Sequence, residues 1–339
     1  MITNIAPSTQ YCGAVKNLDP TLADQLQTVN FDNATDVETL HKKLSETSWL
    51  QKFCDWAIFN GDIVQSLNDA AALNMYKVAA ERKQNTDCIP GNRLEIVKRW
   101  AQSITPTARA SLLQSLKDSS VSNEFTEMLP HADTQYLAAH MYLAEHKALP
   151  NPQAKEAKHG RALLEEAAKG FEAAGWNYSN KAGKPKLAIA AYTEAVEAYR
   201  QAEWPRGAAE CMRNIGAILG ESAAPADAAD AFAESARLFI ETADPFRLQN
   251  DAPSVEYYES CAALMLKVAA EFYEKAGLMG KAGDARMSSA TRQLASGDKN
   301  PELLEENYLK AAEYYRLANQ PEDAIEAKKK AAEVRGPGG

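Results

Sequence analysis

No stretch of this 339-residue chain approaches the roughly eighteen consecutive apolar residues that a membrane-spanning helix requires, so no transmembrane segment is expected. Cysteine is scarce. Cys12, Cys54, Cys88, Cys211 and Cys261 are odd in number and scattered, without the paired spacing of a metal site. A chain of this length can bury a core without disulfide staples, so a reducing, cytoplasmic compartment is the simpler expectation. A basic surplus is missing too: the formal net charge is −9, and acidic side chains outnumber basic ones on both sides of residue 150. That balance speaks against sequence-independent binding to nucleic acid or to an anionic membrane. The opening residues MITNIAPSTQYCGAVKNLDP have neither a basic segment nor a continuous apolar stretch, so no cleavable secretory signal is expected. A bacterial effector exported by a dedicated machine needs no such signal, and that life stays open.

Motifs that carry chemistry are equally sparse. There is no GxxxxGK[ST] or GxGxxG loop to cradle a phosphate, no GxSxG elbow, no HExxH, no calcium loop and no kinase signature. The densest histidine run, HADTQYLAAHMYLAEH, holds His131, His140 and His146. None of its pairs has the i,i+4 spacing that chelates a metal on one helix, so surface or structural roles are expected. Asp36, His41 and Cys54 form an acid–His–Cys site only if the fold brings them together. The expectation is therefore a protein that is not an enzyme, with no catalytic residue, no metal and no cofactor.

What the chain does have is a rhythm. From Lys155 to Arg335, alanine-rich stretches dominated by strong helix formers alternate with short breaks: KAGKP, AEWPR, ESAAPAD, ADPFRLQNDAPS, AGLMGKAG, ASGDKNPE and ANQPED. Prolines sit where helices start, and Asn300 or Asp298 is placed to cap the helix opened by Pro301. Cys261, Leu264, Met265, Val268, Phe272 and Tyr273 recur at three- and four-residue spacing, the apolar stripe of one helix. Ala182, Ala202, Ser222, Ala243, Ala276, Ala295 and Ala318 are each expected to close a helix. Paired helices give four hairpins, 160–202, 204–243, 254–295 and 301–335, none of which buries its apolar faces alone. Gly216 and Ala228 are expected to meet where the second hairpin's helices cross.

Gly216, Ala228, Phe232 and Ser235 fall in the small–small–large–small order of a tetratricopeptide repeat. Ala270, Ala282, Arg286 and Ser289 keep the small positions but put arginine at the large one, and Ala312, Ala324, Lys328 and Ala331 put lysine there. The first hairpin departs further, with Trp176 ahead of Ala188, Tyr192 and Ala195. Residues 155–335 thus resemble a tetratricopeptide (TPR) array, in particular the longer-helix kind of the soluble NSF attachment proteins. The resemblance implies an all-α fold, a TPR-like α-solenoid of about four hairpins. Residues 1–150 read as a helical domain without a repeat, or as degenerate repeats, with helices near 20–30, 36–46, 48–59, 61–84, 92–102, 106–118, 120–129 and 131–148. The expected boundary is ALPNPQAKEAKHG, 148–160.

Such arrays bind peptides on the concave surface lined by the first helix of each hairpin. By that resemblance the exposed contact candidates are Asn177, Arg213 and Lys267, with Tyr257 beside them. In Tyr257-Tyr258 and Tyr314-Tyr315, neighbouring rings point about 100° apart, so one of each pair can enter the core while the other faces a groove; core packing alone is the first expectation and ligand contact the second. The family's chaperone-tail clamp is not formed, because Ala217 follows Arg213 and Glu271 follows Lys267 where an asparagine belongs. A protein-interaction module or adaptor is the first expectation, with a protein or peptide segment as partner. The resemblance implies a role in complex assembly or vesicle traffic. The alternatives are an enzyme whose site lies in the N-terminal half, and a structural subunit or dedicated chaperone.

Overall fold

The computed structural model describes residues 131–149, 154–180, 183–298 and 300–335, together with the helical residues Lys98 and Leu113. Nine helices lie among them and no strand: α1 (His131–Ala148), α2 (Ala154–Asn180), α3 (Pro185–Gln201), α4 (Pro205–Glu221), α5 (Pro225–Leu248), α6 (Ala252–Lys275), α7 (Met279–Ala295), α8 (Pro301–Leu317) and α9 (Pro321–Arg335). The described chain is all-α. The other expected helices of the N-terminal half, and the Asp36, His41 and Cys54 set, lie outside the described residues. Two compact units divide the chain, Met1–Ala182 and Gly183–Gly339. The division falls within the stretch expected as the first hairpin.

In the first unit α1 packs against α2. Gly170 allows it: a Cβ there would stand 3.0 Å from that of Ala139 and 3.3 Å from the carbonyl oxygen of Gln135. Tyr136, Leu137 and Met141 from α1 and Leu164 and Phe171 from α2 are buried in this contact.

In the second unit consecutive helices pack on each other in turn, from α3 to α9. Its interior is mostly alanine, including Ala188, Ala195, Ala228, Ala262, Ala270, Ala290, Ala311 and Ala327, with tyrosines filling the wider gaps. Small residues let two helix backbones approach, and a helix squeezed between two neighbours needs them on both sides. Certain contacts recur from pair to pair. Ser235 Oγ donates to the carbonyl of Ala209 at 2.8 Å, and Ser289 Oγ to that of Ala263 at the same distance, each reaching back 26 residues. Tyr273 Oη donates to Asp230 at 2.5 Å, and Tyr315 Oη to Asp284 at 2.8 Å. These matched bonds put α4, α6 and α8 in equivalent positions.

The turns recur as well. Glu203, Ala223, Asn250, Gly277 and Asn319 adopt φ of 55°, 57°, 56°, 75° and 59°. After each, a backbone N–H reaches back five residues, from Trp204 to Tyr199, Ala224 to Leu219, Asp251 to Phe246, Leu278 to Tyr273 and Gln320 to Tyr315. This is the Schellman termination, which satisfies carbonyls the helix leaves open. Asparagine and glycine tolerate the left-handed backbone; alanine does not. Ala223→Gly is therefore expected to stabilise the protein by about 0.5–1 kcal/mol, the relief of strain outweighing glycine's greater freedom when unfolded. The midpoint of urea unfolding should rise. A midpoint that falls would mean that Ala223 is not held in this conformation in solution.

One expectation about this unit needs correction. Ala243 does not close α5, which runs through Pro245 to Leu248. Proline removes one amide bond from the helix, but the extension is held from outside: Phe246 stacks on Tyr258 of α6 at 5.5 Å, and Arg247 pairs with Glu259. Gly216 faces Phe232: a Cβ on Gly216 would stand 3.0 Å from that ring. Ala228 lies one turn earlier on α5, and the larger side chain covers the glycine. Tyr314 and Tyr315 are both buried, since each finds a carboxylate to accept its hydroxyl, Glu274 and Asp284 respectively.

Candidate partner-binding face

Helices α4, α6 and α8 lie side by side although α5 and α7 separate them in the chain. A Cβ on Gly220 of α4 would come within 2.5 Å of Phe272 on α6, and Tyr314 Oη of α8 donates to Glu274 of α6 at 2.6 Å. Phe272 in turn stacks on Phe232 of α5, at 5.6 Å between centroids, and carries the ammonium of Lys275 over its outer face. These contacts set three exposed stripes in one register. Arg213, Lys267 and Leu309 occupy one row across them; Glu210, Leu264 and Glu306 occupy the next.

The middle helix supplies the apolar surface. Tyr257 and Leu264 are each 55% exposed, two turns apart on the same side of α6, with half-buried Cys261 between them. The apolar stripe of this helix is therefore partly a surface. Met265 and Tyr273 of that stripe are buried, together with Tyr258 and alanines 262, 263, 269 and 270. Helical spacing alone reads apolar residues as inward-facing. It cannot register that α5 and α7 clasp α6 through its small residues, which leaves the larger ones outside.

Around this stripe most charges are already matched. Arg206 Nε bonds Glu210 at 3.1 Å, Arg286 reaches Glu271 at 3.4 Å, and Lys310 bonds Glu313 at 3.0 Å. Arg213 lies beside Cys261, exposed, and Lys267 is half-buried further along α6. Among the described residues neither has an ion-pair partner. Burial pushes the Cys261 thiol above its ordinary range, against the hydrogen bond with Tyr257 that pulls it down. The adjacent Cys261 in turn raises the phenol of Tyr257. A thiol whose pKa is raised is a weaker nucleophile at neutral pH.

Of the four residues expected to contact a partner, Arg213, Tyr257 and Lys267 share this face. Asn177 is buried, contrary to its expected exposure. Its Nδ2 donates to Gln135 of α1 at 2.8 Å and to the Ala173 carbonyl at 3.0 Å, which ties it into the contact between α1 and α2. Nearby Trp176, which breaks the repeat pattern, is the half-exposed residue of that turn. His140 is buried as well, edge-on to Tyr136 and Phe171 at 4.6 and 4.7 Å. Burial, and then the charges of Lys98 and Lys147, lower its pKa to about 3, so it is a neutral core residue.

Two charged side chains, Arg286 and Glu259, sit between the helices behind the face, and the sequence pattern foresaw the burial of neither. Arg286, at a position where the repeat resemblance expects a large residue, is buried; its Nη1 donates to Asn307 of α8 at 2.9 Å, and Asn307 Nδ2 donates to Gln293 at 3.2 Å. Glu259 is fully buried on α6, with ion pairs from Arg247 of α5 and Arg292 of α7, the latter at 3.5 Å. Its carboxylate is held by these charges and not by aligned hydrogen bonds. An arginine or glutamate in an alanine-rich helix reads as a solvated charge, and only the packing of a third helix reveals otherwise.

No protein-family model matches the sequence, and no curated protein matches it. Among solved structures, the chain is similar to that in "Crystal structure of BtubC (BKLC) from P. vanneervenii", with 14% identity over 78% of this chain and 91% of that one and a TM-score of 0.30. So distant a likeness assigns neither a fold family nor a function. Among the described residues no helix is long and apolar enough to cross a membrane, and no three His, Cys, Asp or Glu side chains gather as a metal site would require.

Proposed function

We propose that the second unit is a TPR-like array and that the protein is an adaptor, binding a segment of another protein across α4, α6 and α8. The observation that carries this reading is the exposed pair Tyr257 and Leu264, with Arg213 on the neighbouring helix beside them. Aromatic residues and arginine dominate the energetic centres of protein interfaces, where an apolar anchor excludes water from a charged contact. The small residues at Gly216, Ala228, Ala270, Ala282, Ala312 and Ala324 are all buried, which supports the repeat reading.

Capture with the intact protein, followed by calorimetric titration of the captured partner, tests the proposal. Arg213→Ala combined with Lys267→Ala is expected to weaken binding tenfold or more while the helical signal stays unchanged, since each lost hydrogen bond to a charged group costs about 1.5–3 kcal/mol. Equal affinities in two folded proteins would place the binding surface elsewhere.

A further inference from the structure

We infer that the segment this face accepts is polarised in charge: acidic where it lies against α4 and α6, apolar over the middle of α6, and basic where it reaches α8. The inference rests on the adaptor reading and adds the chemistry of the partner. It follows from which charges on the face are already neutralised and which are left. With Arg206 matched by Glu210 and Glu271 by Arg286, the cations on α4 and α6 without a carboxylate partner are Arg213, Lys267 and Lys275, the last of which lies over the Phe272 ring at the end of α6. On α8 the same register presents Glu302 and Glu306, both exposed. Tyr257 and Leu264 stand between the two signs.

A surface ordered cation, apolar, anion rejects a segment that is basic throughout or acidic throughout, because one end then meets its own charge. It also fixes direction: turning the occupant end for end places like charges together at both ends. Neighbouring helices lie about 10 Å apart, so crossing from α4 to α8 takes roughly six extended residues at about 3.3 Å each. The occupant is thus short, and its order of residue types is defined.

The test uses the full-length protein and a displayed library of random dodecapeptides. Selection should enrich peptides with an acidic residue at one end, an aromatic or branched aliphatic residue in the middle and a basic residue at the other end. On the variant Arg213→Glu with Lys267→Glu, the acidic preference should vanish, and basic residues should replace it. A selected peptide whose acidic residue is replaced by its amide should bind roughly tenfold more weakly by fluorescence anisotropy, the effect of losing a charge-assisted contact. Arg213→Gln with Lys267→Gln gives a second variant without added charge; it should lose the acidic preference without gaining a basic one. Selected peptides with no acidic preference, or a preference that survives in both variants, would overturn the polarity and leave the adaptor reading standing. Failure of any peptide to enrich above a blank surface would overturn the adaptor reading and this inference together.

Discussion

Arg247→Ala is expected to destabilise the protein by about 3 kcal/mol, the low end of the cost of stripping a partner from a buried charge. Glu259 has no exposed surface and stands between Arg247 and Arg292, whose side chains are 35% and 30% exposed. Removing Arg247 leaves the carboxylate buried with one cation instead of two. Removing the carboxylate is a different matter. In Glu259→Met both arginines keep an outlet to water, and a side chain of similar volume fills the site, so the change should stay within about 1 kcal/mol. The contrast between the two substitutions is the informative result, and chemical denaturation of both variants measures it. If Arg247→Ala unfolds at the wild-type midpoint, the ion pair does not hold Glu259 in solution. The same experiment reports on the α5 extension, since Arg247 lies beyond Pro245 and its pairing is one of the two contacts that keep that turn helical.

The elements of the fold were legible because the signals that end helices are local. Pro185, Pro205, Pro225, Pro301 and Pro321 each open a helix, as their position after a break suggests, and Asn300 caps α8 by accepting from Glu302 and Leu303. Helix α1 spans His131–Ala148, the range that sequence pattern predicts. Pro245 is the exception, and the reason is not local: the residues that rescue the helix, Tyr258 and Glu259, lie on the next one.

The candidate site was legible in part, for a related reason. The positions of Arg213, Lys267 and Tyr257 follow from counting along a helix. The roles of Leu264, Asn177 and Tyr314 depend on what a second or third helix brings against them. Leu264 stays outside because alanines take the inner positions. Asn177 goes in because Gln135 on α1 offers its amide oxygen. Tyr314 goes in because Glu274 accepts its hydroxyl. Each is settled by a partner between 40 and 42 residues away or by a neighbour's packing, which no helical period encodes.

The tightest of these packings yields the second large effect. Gly216→Leu is expected to cost about 2 kcal/mol, within the range for overfilling a packed core even after leucine's better helix propensity offsets part of it. The space is closed. A Cβ at residue 216 would stand 3.0 Å from Cδ2 and Cε2 of Phe232 and 3.1 Å from its Cγ, before any further carbon is added. The ring has little room to retreat, because its far side stacks on Phe272 at an interplanar angle of 19°. Phe272 itself lies against α4, in space left free only by the absence of a side chain at Gly220. Leucine at 216 therefore forces α4 and α5 apart or turns Phe232 out of its rotamer, and the row of Arg213 against α6 shifts with it. Ala217→Leu, one residue along and exposed, serves as the control and should change stability by less than about 0.5 kcal/mol. Urea unfolding of both variants, with the slope as well as the midpoint recorded, separates the two sites. A Gly216→Leu protein as stable as the wild type would show that Phe232 does not cover residue 216 and that α4 and α5 pair in a different register.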